Sequence, residues 1–496
     1  MSKKLKTVFK LSIIILIFTI LILTISFNIW FSSGYMDFED YNNPYFKSGD
    51  ENFLTEAISN KFSLGFSKEI LTPDDIELTK YYLAGYFTFP ATYATEVLDD
   101  LYVRAICIDD NSGRGAVALA VIDSIGLSNK DVNIIREKLN DYATENNLKS
   151  INVMTTHSHA GIDTQGLWGP LPKSGKNEQF MENLFNKTVK AIQDANDSMT
   201  QGDLFFAETQ TEGLFLDHRE PIVIDDSIVR IRFSPDDTSK NDVYIINLSA
   251  HVGSLTHGNS VLTADFPAYM GEIIESYGNE FIFFNGAIGG LITTAQIPDY
   301  QEGMSQIEEM IEYGYILGDL IMSMDTSSET LIEPIINIKS QEIFFPLENT
   351  LLRFAGKAGV INNSVVKVAG KEHKFEIVSE IAYMQLGNFI DIVFVPGELF
   401  PELAIGGLLE ADDSYSKTSF DYPLIKDLIP ENNRLIIFGL ANDEIGYIIP
   451  DNDYAITRFL PYIRTKEGHY EETVSPGRNT ASILISSLEE LILSTK

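Results

Sequence analysis

The sequence predicts a mixed α/β (α+β) fold in one large domain, and three observations lead to this prediction. Segments with the pattern of strands alternate with segments of helical periodicity along most of the 496 residues. Hydrophobic residues make up 44% of the chain, enough to bury a large core. Residues 62–496 contain no internal repeat, low-complexity stretch or linker, so the simplest organisation is a single domain with an elaborated carboxyl-terminal half.

The first half of this domain begins with two predicted strands that form a hairpin. The strand sequences "LYVRAICI" and "AVALAVID" are separated by the turn sequence "DDNSGRG". A helix is predicted with Asn129 as its amino-terminal cap, because Val132, Ile135 and Leu139 recur at helical spacing. The strand "INVMTT", a helix within "NEQFMENLFNKTVKAIQDAN" and strands near "DLFFAET", "SIVRIRF" and "VYIINLSA" follow.

The second half continues the alternation. Helices near "AYMGEIIESY" and within "GMSQIEEMIEYGYILGDLIMSM" flank a short buried strand, "FIFFN". Further strands are predicted at "HKFEIVSEIAYMQL", "FIDIVFV" and "RLIIFGL", and further helices after "PGE" and at "TASILISSLEELIL".

Charge and cysteine content exclude several kinds of protein. Acidic residues outnumber basic ones 71 to 36, and the net charge of −35 argues against a nucleic-acid partner, whose phosphates require clustered lysine and arginine. The single cysteine, Cys107, excludes an intramolecular disulfide and a cysteine-based metal cluster. Because Cys107 lies inside an apolar strand, we interpret it as core packing.

An apolar segment near the amino terminus predicts a membrane anchor. Residues 11–31, "LSIIILIFTILILTISFNIWF", carry no charge and are long enough to cross a bilayer. Four lysines within residues 1–10 precede this segment, which predicts a cytoplasmic tail and an extracellular body at the cell membrane. A cleaved signal peptide is the alternative, but its apolar core would be about 7–15 residues long. Both interpretations export the body.

The next segment, residues 32–61, is polar, acidic and aromatic. We interpret it as an extracellular tether or as the first segment that wraps the domain. The domain itself is predicted to occupy residues 62–496.

Two histidines follow the predicted strand "INVMTT" in the sequence "TTHSHAG". Side chains at positions i and i+2 of an extended segment point in the same direction, so His157 and His159 are predicted to face one pocket. The carboxyl end of a strand is where open α/β sheets bind ligands. The alternative is a pair of polar loop residues.

Two further residues occupy similar positions at strand ends. His251 follows the strand "YIINLSA", and Glu398 follows "FIDIVFV" and a Pro-Gly turn. Two histidines and one glutamate are a common catalytic zinc set that leaves a position for water. Glu398 taken alone is better explained as an acid in the first turn of a helix, where it interacts with the helix dipole.

Several segments together resemble the zinc-dependent amidohydrolase domain of the neutral ceramidase family. The segments are "TTHSHAGIDTQGLWG", "SAHVGSL" with "LTADFPAYM", "FFNGAIGG", "FVPGELF" and "GLANDEIGYIIPDNDY". Their order and approximate spacing agree over residues 65–493. The resemblance implies the fold of that catalytic domain, without the family's carboxyl-terminal immunoglobulin-like domain.

The resemblance also implies roles for individual residues. The zinc ligands would be His157, His251, Glu398 and Tyr447, although the phenol of tyrosine has an ordinary pKa near 10, which a nearby dication would have to lower. His159 would stand beside the metal as a hydrogen-bond donor in the transition state. Arg219 in "LDHREP" would bind a substrate oxygen; the alternatives are a half-buried aromatic residue for Tyr447 and a surface loop cation for Arg219.

One departure from the family changes the expected mechanism. The family sequence Asn-Gly-Asp-Val-Ser-Pro is related to "NGAIGGLITT" here, which places Gly290 at the aspartate position and Ile292 at the position of the serine assigned as nucleophile. No hydroxyl occupies that place, although Thr293 and Thr294 are near. A serine acyl-enzyme is therefore not expected.

These features favour hydrolysis of an amide by zinc-activated water. Zinc polarises a carbonyl and lowers the pKa of bound water to about 7, and His159 is the best candidate for protonating the leaving amine. The expected substrate is an N-acyl lipid such as N-acylsphingosine, which the membrane anchor would keep within reach. The alternatives are a zinc hydrolase of another envelope amide or ester, and a non-catalytic binding protein with the same fold.

Overall fold

The computed structural model of the chain describes residues 31, 33–211, 213–290, 292–298, 300–370, 374–457, 461–462 and 468–496. None of the helices within these ranges has the length and apolar character that crossing a membrane requires. The predicted anchor, residues 11–31, lies outside the described residues except for Phe31. It remains a prediction.

The described residues confirm the mixed α/β class. The α-helices are α1 (Asn129–Glu145), α2 (Glu178–Asp197), α3 (Phe266–Ser276), α4 (Gln306–Ser323), α5 (Thr350–Lys357), α6 (Pro401–Ile405), α7 (Ile425–Leu428) and α8 (Thr480–Leu493). The strands are β1 (Met36–Asp37), β2 (Phe62–Ile70), β3 (Glu96–Val97), β4 (Tyr102–Asp109), β5 (Ala116–Ile122), β6 (Leu148–Thr155), β7 (Thr200–Gln210), β8 (Phe215–Leu216), β9 (Ser227–Pro235), β10 (Val243–Leu248), β11 (Val261–Leu262), β12 (Glu280–Asn285), β13 (Thr293–Thr294), β14 (Thr330–Ile332), β15 (Ile336–Pro346), β16 (Val365–Lys367), β17 (Phe375–Leu386), β18 (Ile390–Phe394), β19 (Glu398–Leu399), β20 (Arg434–Phe438) and β21 (Tyr447–Ile448).

Two large sheets form the centre of the fold. The first has the strand order β12-β10-β9-β7-β2-β4-β5-β6, with β14 paired to β7. The second has the order β1-β16-β17-β18-β20, with β15 paired to β17. Both sheets combine parallel and antiparallel pairs; β5 is parallel to β6, for example, and antiparallel to β4.

The sheets face each other across a shared core, and helices cover their outer faces. Phe284 of β12 stacks on Phe438 of β20 with ring centroids 4.4 Å apart, and one apolar cluster contains residues of both sheets. Helices α1 and α2 cover one part of the outer face of the first sheet, and α3 and α4 cover another. Helix α8 packs on the outer face of the second sheet. The result is a layered helix–sheet–sheet–helix arrangement.

Helix ends follow from local sequence. The predicted cap at Asn129 was wrong by one residue, because Ser128 caps α1 through a reciprocal capping box with Asp131. Ser305 caps α4 in the same way with Glu308. The predicted core position of Cys107 is confirmed, because its side chain is fully buried between β4 and α2.

Of the two interpretations of residues 32–61, the structure supports wrapping rather than a free tether. Strand β1 pairs in parallel with β16 at the edge of the second sheet. The backbone of Asp50 bonds to Ile338, its carboxylate accepts from Lys149 at 2.9 Å, and Phe53 stacks on Tyr383. Aromatic and acidic residues of the segment therefore attach it to the body of the fold.

Candidate metal centre

The ends of strands from both sheets meet around one point. His157 lies two residues beyond β6, and His251 lies three residues beyond β10, both from the first sheet. Glu398 and Tyr447 are neighbours in the short parallel pair β19 and β21, which follow strands β18 and β20 of the second sheet. The fold therefore brings together residues that are separated by up to 290 positions in sequence.

Two histidines face the same carboxylate oxygen. The Nε2 atom of His251 lies 2.8 Å from Oε2 of Glu398, and Nε2 of His157 lies 3.4 Å from that atom. The hydroxyl of Tyr447 lies 3.4 Å from Nε2 of His251. All four predicted ligands thus converge, and all four side chains are buried.

His157 is held in a defined orientation. Its Nδ1 donates a hydrogen bond to the carbonyl oxygen of Ile125 at 2.7 Å, which leaves Nε2 with its lone pair toward the cluster. This is the arrangement in which metal-binding histidines are usually fixed. The backbone of His157 has a φ of +67°, an uncommon conformation for a residue other than glycine. Strain of this kind is frequent at functional sites.

His159 completes a group of three histidines. One ring nitrogen from each of His157, His159 and His251 lies within 4.8 Å of the others, close enough for the three to hold a metal ion. Neither ring nitrogen of His159 has a hydrogen-bond partner among the described residues. The ring packs edge-on against Tyr86, and a Cβ at Gly85 would lie 2.5 Å from it, so Gly85 leaves the space that the ring needs.

Burial and neighbouring charges shift the pKa values of three residues in the cluster toward the forms that bind a cation. Burial, followed by the charges of His157 and His251, holds the pKa of His159 well below its ordinary value, and burial also lowers the pKa of His251. Burial raises the pKa of Glu398, but the charge of His157 and the hydrogen bonds from both histidines outweigh that effect and hold it well below its usual range. Neutral imidazoles and an ionised carboxylate are the forms that bind metals.

Tyr447 is the exception in this set. Burial, and then the charge of Glu398, raises the pKa of its phenol well above 10. The hydroxyl also lies 3.2 Å from that of Tyr470. Tyr447 is therefore a neutral phenol in the protein alone, and a cation at the cluster would act in the opposite direction on its pKa.

A cavity of about 980 Å³ opens onto the cluster, and His157, His159, Glu398 and Tyr447 form part of its wall. This volume is at the upper end of the roughly 300–1,000 Å³ typical of ligand sites. Much of the remaining wall is apolar or aromatic. It includes Leu167, Trp168, Leu352, Ile361, Val366 and Ile377.

Sequence analysis missed one acidic residue in this wall. Glu444 is 8% exposed; its Oε1 accepts from the backbone N–H of Gly446 at 2.8 Å, and its Oε2 has no partner within the described part of the chain. Burial, and then the charge of Glu398, raises its pKa well above the ordinary value. Its position three residues before Tyr447 was the available signal, because the resemblance drew attention to the tyrosine alone.

The structure places Ile292 away from the cavity. Its side chain is fully buried in the core beneath α3 and α4, and its carbonyl oxygen accepts from the backbone N–H of His251 at 2.7 Å. Thr293 bonds instead to His218, with 2.7 Å between the hydroxyl oxygen and Nε2. None of the described residues from 286 to 294 contributes to the cavity wall.

Arg219 is buried and engaged by acidic groups. Its Nη1 donates to Glu471 at 2.9 Å, and its Nη2 donates to Asp453 at 3.1 Å and to Glu472 at 3.2 Å. Nδ1 of His469 lies 2.9 Å from the same nitrogen. The described cavity wall does not include Arg219, so these contacts favour a structural role over the predicted contact with substrate and correct the alternative of a surface cation.

No protein-family model and no curated protein matches the sequence. Solved structures that share its fold include two ceramidases. The neutral ceramidase from Pseudomonas aeruginosa superposes with a TM-score of 0.66 at 13% identity, and the match covers 88% of this chain and 74% of that one. A ceramidase complexed with C2 gives a TM-score of 0.64 at 12% identity, covering 88% and 75%. The chain therefore has a neutral ceramidase-like fold, as the resemblance in sequence predicts.

Proposed function

We propose that this chain is a zinc-dependent amidohydrolase that cleaves the amide bond of N-acyl lipids of the ceramide type. The observation that carries the proposal is the convergence of His157 and His251 on one oxygen of Glu398, at 3.4 and 2.8 Å, at the wall of a large cavity. The fold shared with ceramidases supports the reaction class.

The residues of the cluster fit a zinc ion. Two imidazole nitrogens, a carboxylate and a phenol would hold it, and nitrogen and oxygen donors of this kind are usual ligands of catalytic zinc. Both ring nitrogens of His159, beside these four groups, are buried without partners among the described residues, and such groups are costly unless a ligand or a water binds them. We propose His157, His251, Glu398 and Tyr447 as the ligands.

The chain's own residues supply the remaining chemistry. Zinc, when bound, would act as a Lewis acid and lower the pKa of a coordinated water. A neutral His159 at the edge of the cluster can accept a proton on a ring nitrogen and pass it to the leaving amine. The hydroxyl of Tyr470, 3.2 Å from that of Tyr447, holds the ligand phenol in position.

Water is the nucleophile in this proposal. Ile292 occupies the position of the family's serine and points into the core, so no side-chain hydroxyl stands there. Ser364 and Thr473 also line the cavity. Neither hydroxyl bonds to a histidine within the described structure, so neither has a base to activate it. The acyl group would therefore pass directly to water.

A lipid substrate is supported by the cavity and by the amino terminus. The large, mostly apolar wall suits a hydrocarbon chain, and the ceramidase with a related fold was solved with C2 bound. We further propose that residues 11–31 anchor the chain in the cell membrane with the body outside, which would hold the cavity near its substrate.

Metal analysis and a substrate panel test the proposal. We expect the purified full chain to contain about one zinc ion and to release fatty acid from N-acylsphingosine. A chelator should abolish the activity and zinc should restore it. Faster cleavage of other amides or of esters would reassign the substrate class, and a chain that retains no zinc and cleaves nothing in the panel would support a binding protein and reject the proposal.

A further inference from the structure

The amino-terminal segment forms one wall of the cavity. We call residues 33–46 the N-terminal strap. Gly34, Tyr35, Met36 and Tyr41 of the strap line the same cavity as His157 and His159. These residues directly follow the apolar segment that we propose as the anchor, so the part of the chain nearest the membrane contributes to the candidate active site.

The strap is fixed in place by contacts along its length. Met36 pairs with Val366 in the β1–β16 ladder, and the ring of Tyr35 packs on Phe375 with centroids 4.8 Å apart. The hydroxyl of Tyr41 donates to Glu342 at 2.8 Å. Closer to the anchor, Nζ of Lys357 on α5 donates to the carbonyl oxygen of Ser33. A wall held by so many contacts has a defined shape.

The strap contributes a solvent-exposed part of the cavity wall. Met36 is 53% exposed, whereas His157 and His251 are 4% and 1% exposed. A chain whose amide is held at the histidines and which extends along the strap would contact Met36 only beyond the buried part of the wall. Methionine offers such a chain an adaptable apolar surface.

We propose that the N-terminal strap, through Met36, is the part of the cavity that binds the distal end of a long aliphatic chain and determines which chain lengths the site accepts. The inference rests on the proposed function, because it takes the histidine cluster as the place of the polar end of the ligand. The ligand class is a single unbranched hydrocarbon chain, whether it enters as the acyl or the sphingoid part of the substrate.

Binding to the full chain tests this without hydrolysis. A fluorescent eighteen-carbon fatty acid, cis-parinaric acid, is bound to the zinc-loaded protein and displaced by saturated fatty acids or by sphingoid bases of eight, twelve and sixteen carbons. The variants are Met36→Glu, which places a charge on the wall, and Met36→Trp, which narrows it. Ile58→Glu is the matched control, because Ile58 is also exposed but is not part of the cavity wall.

The proposal predicts a loss that depends on chain length. Both Met36 variants should weaken binding of the sixteen-carbon ligands by about tenfold and of the eight-carbon ligands by less than about threefold, because only the former bury methylene groups against the strap. The series, acyl or sphingoid, that shows this dependence identifies the part of the substrate that lies there. Ile58→Glu should bind every ligand like the unaltered chain.

Other outcomes separate this inference from the proposed function. If folded Met36 variants, checked by their thermal unfolding, retain the unaltered length profile or lose affinity equally for all lengths, the inference is overturned. Hydrolysis of N-acylsphingosine with an unchanged length profile would overturn the inference and leave the proposed function standing. Length-dependent binding in a chain that hydrolyses no substrate would reject the proposed function and keep the strap as a chain-binding wall.

Discussion

Two buried polar clusters in this molecule look alike in composition and differ in how well their groups are satisfied. The histidine cluster consists of His157, His159, His251, Glu398 and Tyr447. The arginine cluster consists of Arg219, Asp453, His469, Glu471 and Glu472. The resemblance in sequence predicts a functional residue in each, Arg219 in the second.

The two clusters differ in how many of their buried polar atoms have hydrogen-bond partners. The guanidinium of Arg219 donates to three carboxylates and also to the backbone oxygen of Asp453 at 2.9 Å. In the histidine cluster, both nitrogens of His159 and Nδ1 of His251 lack partners among the residues that the structure describes. Buried polar groups are normally paired, so the unpaired nitrogens of His159, which lines the cavity, indicate a place for a ligand.

The two clusters are also connected. Glu471, which pairs with Arg219, follows Tyr470, and the hydroxyl of Tyr470 lies 3.2 Å from that of Tyr447. The ring of Phe400, two residues after Glu398, lies 5.1 Å below the guanidinium of Arg219. The arginine cluster therefore borders two of the proposed ligands, and none of its five residues belongs to the described cavity wall.

The largest expected effect is on activity when the histidine cluster is broken. Replacing both His157 and His251 with alanine should lower hydrolysis on the order of 10³-fold or more and reduce bound zinc to a small fraction of one ion, because two nitrogen donors are lost. Metal content and turnover of the purified variant measure this. His218→Ala is the control, since His218 is an exposed histidine outside the cavity wall. Full activity in the double variant would remove the cluster from the mechanism.

Breaking the arginine cluster should affect stability instead. Arg219→Met leaves three buried carboxylates without their cation, and breaking a buried pair typically costs about 3–5 kcal/mol. Denaturant unfolding at neutral pH measures the loss, while zinc content per folded molecule should stay near that of the unaltered chain. Unchanged stability together with lost activity would instead support the contact with substrate that the resemblance predicts for Arg219.

Sequence reasoning predicted His157, His159, His251 and Glu398 because they follow strongly apolar strands, and it predicted Tyr447 only through the resemblance to the ceramidase family. Runs such as "INVM" and "FIDIVFV" identify buried strands, and the polar residues just beyond them are then expected at a sheet edge. The convergence of four such ends could not be derived from local pattern, because it depends on how two sheets pack.

The strands that sequence analysis missed have a common cause. Strands β2 and β15 contain "SKE" and "KSQE", so their apolar runs are interrupted. In the structure, pairing with neighbouring strands stabilises these two segments as strands. For example, β15 pairs with β17 along its full length of 11 residues. The place of the strap in the cavity wall was not predicted for a related reason. Its aromatic residues line the cavity only because β1 pairs with β16.

Glu444 in the cavity wall combines features of both clusters, because it is a buried acid with only one oxygen bonded. Oε1 accepts from Gly446, and Oε2 has no partner among the described residues. Burial keeps it neutral, so Glu444→Gln should retain activity within about threefold. Glu444→Leu should lower activity about tenfold, since the N–H of Gly446, directly before Tyr447, would lose its acceptor. Steady-state hydrolysis of N-acylsphingosine by the two variants measures the difference. Equal activity of both would show that Glu444 only fills space.

The smallest effect concerns the acid that borders the arginine cluster. Burial, and then the charge of Asp217, raises the pKa of Glu402 from 4.5 to about 8. The folded chain therefore binds more protons than the unfolded chain between these values, and the stability that this proton contributes is present below about pH 4.5 and lost as the pH rises toward 8.

Glu402→Gln removes this titration, so the variant should gain stability relative to the unaltered chain as the pH rises from 5 to 8. We expect a total gain of about 1–2 kcal/mol, since one unit of pKa difference corresponds to about 1.4 kcal/mol and relaxation around the ionised carboxyl reduces the full difference. Urea unfolding at several pH values measures it, with Glu410→Gln as the control at an exposed glutamate. A gain of the same size at every pH would assign the effect to packing, and the arginine cluster would then hold Glu402 as a charged rather than a neutral neighbour.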